Sequence, residues 1–160
     1  MLLQGEEFLQ TGSFNDWKML EWDRTTQFAG IVLAHQHLVN LRKNLYDNTR
    51  GLTGNGLNVF HQDMSNNILA YHRWDKGGPH DDVIVIVNAS DHFFEEYKLY
   101  LPLPGTWHVR FNSNWNGYSE DFKETLINTI TTDEDCQAIL DLSNYNVLIL
   151  AQDPEPTTDS

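Results

Sequence analysis

The chain changes texture at Thr49-Arg50-Gly51-Leu52-Thr53-Gly54-Asn55-Gly56, where three glycines fall within eight residues, and this break limits what each side of it can fold into. Glycine clusters of this kind interrupt regular structure and mark a boundary. Beyond it the apolar runs are short and separated by Gly, Pro, Asn and Asp. Residues 57–62, 68–74, 83–89, 97–101, 106–112, 126–131, 137–142 and 146–151 read as strands. Short strands in succession with turn punctuation predict an antiparallel β-sandwich.

The individual runs carry more detail. Val83-Ile84-Val85-Ile86-Val87 is continuously β-branched, as a central strand covered on both faces should be. In the 68–74 segment Ile68, Ala70, His72 and Trp74 alternate with Leu69, Tyr71 and Arg73, which predicts two partly apolar faces. Pro102 and Pro104 end the next strand, and Gly105 turns the chain into 106–112. Strict alternation there places Trp107, Val109 and Phe111 on one face, with Thr106, His108 and Arg110 on the other.

Before the boundary the pattern differs. Met1-Leu2-Leu3-Gln4-Gly5-Glu6-Glu7-Phe8 reads as a short buried strand feeding a loop at its C-terminal end. A loop with Phe14, Trp17 and Trp22 follows, and Asp23 or Thr25 can cap a helix. Phe28, Ile31, Val32, Ala34, Leu38, Val39, Leu41 and Leu45 then recur at three- and four-residue intervals, predicting one wide apolar stripe on a helix spanning 26–46. Its end is expected between Asn44 and Asp47, with Arg42 and Lys43 in the last turn, where cations suit the helix dipole. A single parallel strand and a helix do not close a core, so residues 1–50 are expected to belong with a larger body, 51–152 to form the sandwich, and 153–160 to be a flexible tail.

Composition narrows the partners. The net charge is −13, and residues 57–160 hold seventeen carboxylates against five Lys or Arg. Such a surface excludes nucleic acid and anionic membrane, since phosphate contacts need clustered cations. No run reaches the roughly 20 apolar residues of a membrane span. Cys136 is the single cysteine, which excludes an internal disulfide framework and fits a reducing compartment, the cytoplasm or a plastid. Neutral ligands with faces to stack on remain, and sugars fit the five Trp.

In order along the chain, these features resemble the C-terminal end of the α-amylase superfamily, within it the 1,4-α-glucan branching enzymes. The run Met1 to Phe8 is similar to the end of the eighth strand of that family's (β/α)₈ barrel. Leu20-Glu21-Trp22-Asp23 is similar to the aromatic step into the eighth helix, and Leu38-Val39-Asn40-Leu41-Arg42-Lys43 to that helix's end. Leu69-Ala70-Tyr71-His72-Arg73, Val85-Ile86-Val87-Asn88 and Pro104-Gly105-Thr106-Trp107 resemble the all-β C-terminal domain that follows. The fold so implied is mainly β, an antiparallel β-sandwich preceded by a strand–loop–helix remnant of the barrel. The function implied is the C-terminal portion of a branching-enzyme-like protein of glycogen or starch metabolism. The family cleaves an α-1,4 bond and passes the chain to a 6-hydroxyl, using an Asp nucleophile, a Glu acid/base and a second Asp on barrel strands four, five and seven. Those strands are expected to lie before Met1, so this chain alone is expected to be inactive, with no catalytic residue and no cofactor.

Glu6 and Glu7 match no catalytic position. Neighbours on an extended segment point apart, whereas a retaining pair converges to about 5 Å, so both are expected to bond backbone N–H groups in the loop. The seven histidines show no metal-ligand spacing, and His35 and His37, two apart on a helix, face different ways. His80-Asp81-Asp82 is expected to be a solvated acidic turn rather than a calcium site. Carboxylates at Asp133, Glu134 and Asp135 argue against Cys136 as a reactive nucleophile. The candidate contacts for α-glucan are Trp115 and Tyr118, with the amides of Asn114 and Asn116, and, in the earlier loop, Trp17 and Trp22. Aromatic faces stack on sugar rings and amides bond their hydroxyls. The other expected partner is the remaining barrel, or a second copy, docked on the apolar face of helix 26–46.

Overall fold

In the computed structural model, which describes residues 3–13, 15–79, 81–122 and 127–152, eight strands follow a short helical segment. They are β1 (Gly56–Asp63), β2 (Ile68–Trp74), β3 (Val83–Asn88), β4 (Phe94–Tyr100), β5 (Gly105–Asn112), β6 (Thr129–Thr132), β7 (Gln137–Leu142) and β8 (Asn146–Ala151). Six form one antiparallel sheet in the order β1-β2-β3-β8-β5-β6, and β4 pairs with β7 as a second. The expected sandwich is therefore present, with one wide sheet and one narrow one.

The β-branched run of β3 behaves as its sequence predicts. Ile84 and Ile86 face the narrow sheet, in a core with Leu99, Leu140, Leu142, Leu148, Leu150 and Trp107. Val83 and Val85 face the other way, into a second core with Leu41, Leu52, Phe111, Ile149 and Tyr118. Full burial of one such aliphatic side chain stabilises the fold by about 1.5–3 kcal/mol.

The alternation expected of β5 fails at one point. Trp107 is fully buried in the first core and Val109 packs against it, but Phe111 lies in the second. A bulge between Val109 and Phe111, opposite Leu150 and Ile149 of β8, is the cause. One extra residue reverses the faces of everything after it. A second irregularity between Phe94 and Tyr97 starts β4 three residues earlier than expected, with Glu96 at φ 50°. Leu126 falls outside the described residues, and β6 runs from Thr129.

The first segment departs further. Residues 4–8 are a turn and a 3-10 helix (Glu6–Phe8), not a strand; Met1 and Leu2 lie outside the described residues. Gly5 at φ 91° and Leu9 at φ 56° fold the chain back, so that the Gln10 N–H bonds the Gly5 carbonyl at 2.9 Å. An isolated strand has no ladder to join, and its backbone groups close on themselves instead. Phe8 is buried, its ring 5.4 Å from that of Trp22.

The helix is divided. A single turn, α1 (Arg24–Gln27), breaks at Phe28 before α2 (Ala29–Arg42). Asp23 occupies the cap position of α1 without a side-chain cap bond. Asn44, left-handed at φ 53°, ends the helix just past Lys43, and the Thr49 hydroxyl bonds the Leu41 carbonyl at 2.8 Å. Leu33, Ala34 and Leu41 pack on the second core, while Leu38 and Val39 stay exposed, so only part of the expected stripe is covered. Among the described residues no helix is long and apolar enough to cross a membrane. The tail, 153–160, lies outside the described residues.

Candidate functional site

The loop after β5 is built from amides. Asn112 Oδ1 accepts hydrogen bonds from the backbone of Asn114 at 3.0 Å and the side chain of Asn146 at 2.8 Å. Two successive turns, Trp115 N–H to Asn112 O and Tyr118 N–H to Trp115 O, then coil the segment. The Asn114 side chain donates to the Asn144 carbonyl at 3.0 Å, and Asn116 is exposed.

Trp115 and Tyr118 meet edge to face with centroids 4.9 Å apart, but their surroundings differ. Tyr118 is buried beneath α2, and its hydroxyl lies 2.7 Å from His37 Nδ1. Burial pushes its phenol up to about 12, because the phenolate is poorly solvated there. Gly30 of α2 sits directly on this residue: a Cβ at Gly30 would stand 1.8 Å from the Tyr118 carbonyl oxygen. The Trp115 indole lies over Gly117 and stacks on His37 at 6.0 Å, leaving 36% of the residue exposed. A cavity of about 230 Å³ beside them is lined by His37, Arg110, Asn112, Trp115 and Tyr118 among others. Of the pair, Trp115 alone offers a solvent-facing edge.

The earlier loop forms a separate cup of about 610 Å³, lined by residues between Leu3 and Leu20. Its shape rests on Glu21, which accepts from Lys18 Nζ at 2.9 Å and from the Thr11 hydroxyl at 2.9 Å. These bonds, that from Lys18 foremost, hold the Glu21 carboxyl below its ordinary range. On this loop Trp17 is 95% exposed and Trp22 is 62% exposed, while Phe14 lies outside the described residues. Glu6 and Glu7 do what their position suggested: Glu6 accepts the Leu3 N–H at 3.0 Å and Glu7 the Gly5 N–H at 3.1 Å.

Two expectations about polar clusters are answered differently. Asp81 and Asp82 are not solvated; both are buried. Asp81 accepts the N–H groups of Asp75, Lys76 and Gly77, and Asp82 bonds the Gly78 N–H at 2.9 Å and His72 Nε2 at 2.8 Å. The backbone of their own hairpin tip replaces water, which tandem acidic residues in a Gly-Gly-Pro turn did not reveal. His35 and His37 do face apart: His35 Nδ1 contacts the Ile31 carbonyl at 2.9 Å, and His37 reaches Tyr118. His80 lies outside the described residues, and among those described no three His, Cys, Asp or Glu side chains gather to hold a metal.

The residues missed by sequence reasoning are Gly30 and His37, whose partner is 81 positions away in the case of His37. A glycine inside an apolar helical stripe was the one available signal of close packing.

Comparison with known proteins fits this arrangement. Residues 59–153 match the family described as "Alpha amylase, C-terminal all-beta domain". The chain is 27% identical over 133 residues to a 1,4-alpha-glucan branching enzyme GlgB of Prochlorococcus marinus (strain MIT 9515), covering 78% of this chain and 17% of that protein. It is 30% identical over 123 residues to a protein of the same name from Rhodopseudomonas palustris (strain BisB5), covering 71% of this chain and 16% of the relative. The chain thus spans about one sixth of these relatives' length. The crystal structure of pullulanase from Anoxybacillus sp. LM18-11 superposes with a TM-score of 0.61 at 19% identity, over 94% of this chain and 20% of that one, a likeness of fold. Together with the six-on-two sandwich, the match over 59–153 places the chain in the α-amylase C-terminal all-β domain family.

Proposed function

We propose that this chain is the C-terminal portion of a protein like the 1,4-α-glucan branching enzymes of glycogen or starch metabolism, and that it serves there as a structural and accessory domain without catalytic carboxylates. The seam joining α2 to the wide sheet through Gly30, His37 and Tyr118 carries this reading. It holds the helix rigidly on one side while Leu3, Leu9, Trp17, Met19, Trp22, Leu38 and Val39 remain exposed on the first 50 residues. Leu3, Leu9 and Met19 line one cup, and apolar groups set together in this way mark a surface that another body covers. In this reading that body is a catalytic barrel, residues 1–50 supply its closing loop and helix, and 51–152 brace it. A cytoplasmic location, or a plastid in a plant, goes with the same reading. The purified chain incubated with amylose should leave the iodine absorbance unchanged, and any turnover overturns the proposal.

A second reading is favoured by the exposed edge of Trp115. There the chain is a free-standing α-glucan-binding module, with Asn114 and Asn116 bonding hydroxyls and Trp17 and Trp22 as a second contact. Titration with maltoheptaose separates the two. Saturable binding lost in Trp115→Ala supports the module; no binding supports the scaffold. A stable monomer at high concentration in sedimentation would count against docking of a second copy on helix 26–46.

A further inference from the structure

We propose that the cleft between β6 and β7 takes up an extended basic peptide segment as an added β-strand. The two strands leave the turn at Asp133–Cys136 into different sheets, β6 as the outer strand of the wide sheet and β7 paired, among the described residues, only with β4. They therefore diverge, and between them lies a cavity of about 600 Å³. Its floor reaches Ile130 and Leu140 of the first core, its walls carry Thr129 and Ile139, and Glu96 and Asp141 stand at its rim.

Three observations select the occupant. First, among the described residues no strand pairs with the outer side of either β6 or β7, and neither strand carries the Lys or Pro that commonly blunts an edge. Such an edge offers main-chain donors and acceptors to an extended segment. Second, Ile139 is 52% exposed in the middle of β7, a side chain that an added strand would cover. Third, among the described residues the charges lining the cleft are the carboxylates of Glu96 and Asp141, on a part of the chain with seventeen carboxylates against five Lys or Arg. A positively charged partner is drawn to it, and an acidic one is repelled. Among the described residues the lining has no aromatic ring, so a sugar finds no platform on them. At about 3.3 Å per residue, β6 and β7 match a segment of about four to six residues.

The test uses the full 160-residue chain, ¹⁵N-labelled. Titration with Ac-Lys-Val-Lys-Val-Lys-NH₂ should shift the amides of β6 and β7 saturably, at least tenfold more tightly than Ac-Glu-Val-Glu-Val-Glu-NH₂. Glu96→Lys, on an exposed residue, and Ile139→Lys should each weaken binding at least fivefold, with the amide pattern of β1, β2 and β3 unchanged. The proposal is overturned by the absence of saturable shifts at millimolar basic peptide, by equal binding of the acidic one, or by maltoheptaose shifting the same amides.

Discussion

His37 Nδ1 and the Tyr118 hydroxyl, 2.7 Å apart, join α2 to the loop after β5 and so tie the first 50 residues to the β-sandwich. Tyr118 is buried, whereas His37 is half-buried at the edge of the neighbouring cavity. Tyr118→Phe keeps the ring and its packing on Phe111 but leaves the imidazole nitrogen without this partner. Removing one member of a part-buried pair costs about 1 kcal/mol, up to about 3 where the group left behind is cut off from water. Urea unfolding of the variant should show a loss in that range with an unchanged m-value, and an unchanged midpoint would mean that the bond does not hold the helix.

Gly30→Ala sets two effects against each other. In an isolated helix alanine is favoured over glycine by about 1 kcal/mol. Here the added Cβ would fall 1.8 Å from the Tyr118 carbonyl oxygen, a backbone atom that no rotamer can move aside. Overpacking of this kind costs about 1–3 kcal/mol. The contact should win, so the variant melts lower than the parent and its Trp115 environment changes in fluorescence; a higher melting temperature would show that α2 is not seated on Tyr118.

What was legible in the sequence follows from how local each signal is. Gly, Pro and Asn at strand ends act within a few residues, and the bounds of β2, β3, β7 and β8 were read from them nearly as they stand. The two-faced burial of β3 was equally visible, since a β-branched run has no polar face to expose. The bulge before Phe111 was not, because its position depends on the register of β8, a strand 34 or more residues away. Nor was the buried state of Asp81 and Asp82, whose bonds to the hairpin's own N–H groups require the turn to exist first. At the candidate site the sequence picked out Trp115, Tyr118 and their amides as a cluster, and the structure does bring the two rings together. It gave no hint that Tyr118 would face inward to His37, a pairing between segments with nothing in common but the folded state.

Asp81 should give the protein an acid limb of instability. Burial on its own would raise its carboxyl, but the N–H groups of Gly77, Asp75 and Lys76 favour the ionised form more strongly, and the folded-state value lies below the ordinary 3.8. A carboxyl depressed in the folded state contributes stability that is fully present above its unfolded value and is lost as pH falls through the folded one. Urea midpoints should therefore be flat near neutrality and fall below about pH 4. Asp81→Asn should lower the neutral plateau by about 1–3 kcal/mol, since one acceptor oxygen is lost, and flatten the acid limb. Parallel pH profiles for variant and parent would rule this anchor out.

Arg73 controls the link between the two parts of the chain. Its Nη2 donates to the Gly54 carbonyl at 2.7 Å and its Nε to the Gly56 carbonyl at 3.1 Å, a planar fork that a lysine ammonium cannot reproduce. The same link is held from its other side, where the Gly51 N–H bonds the Asp81 carbonyl at 2.7 Å. Arg50, exposed and next to that bond, is the trypsin site that reports on the link. Cleavage there needs the segment to open, and when opening is fast its rate follows the open population. Arg50 is also paired with Asp75 at 3.0 Å, so Arg73→Lys removes one of three anchors; opening should become easier by about 1 kcal/mol, roughly a fivefold faster cut after Arg50. Fragments of residues 1–50 and 51–160 would be followed by mass spectrometry. A rate equal to the parent's would show that the Gly51 bond and the Arg50–Asp75 pair hold the link without Arg73, and a variant that is cut everywhere at once would show that Arg73 supports the whole sandwich rather than its junction with the helix.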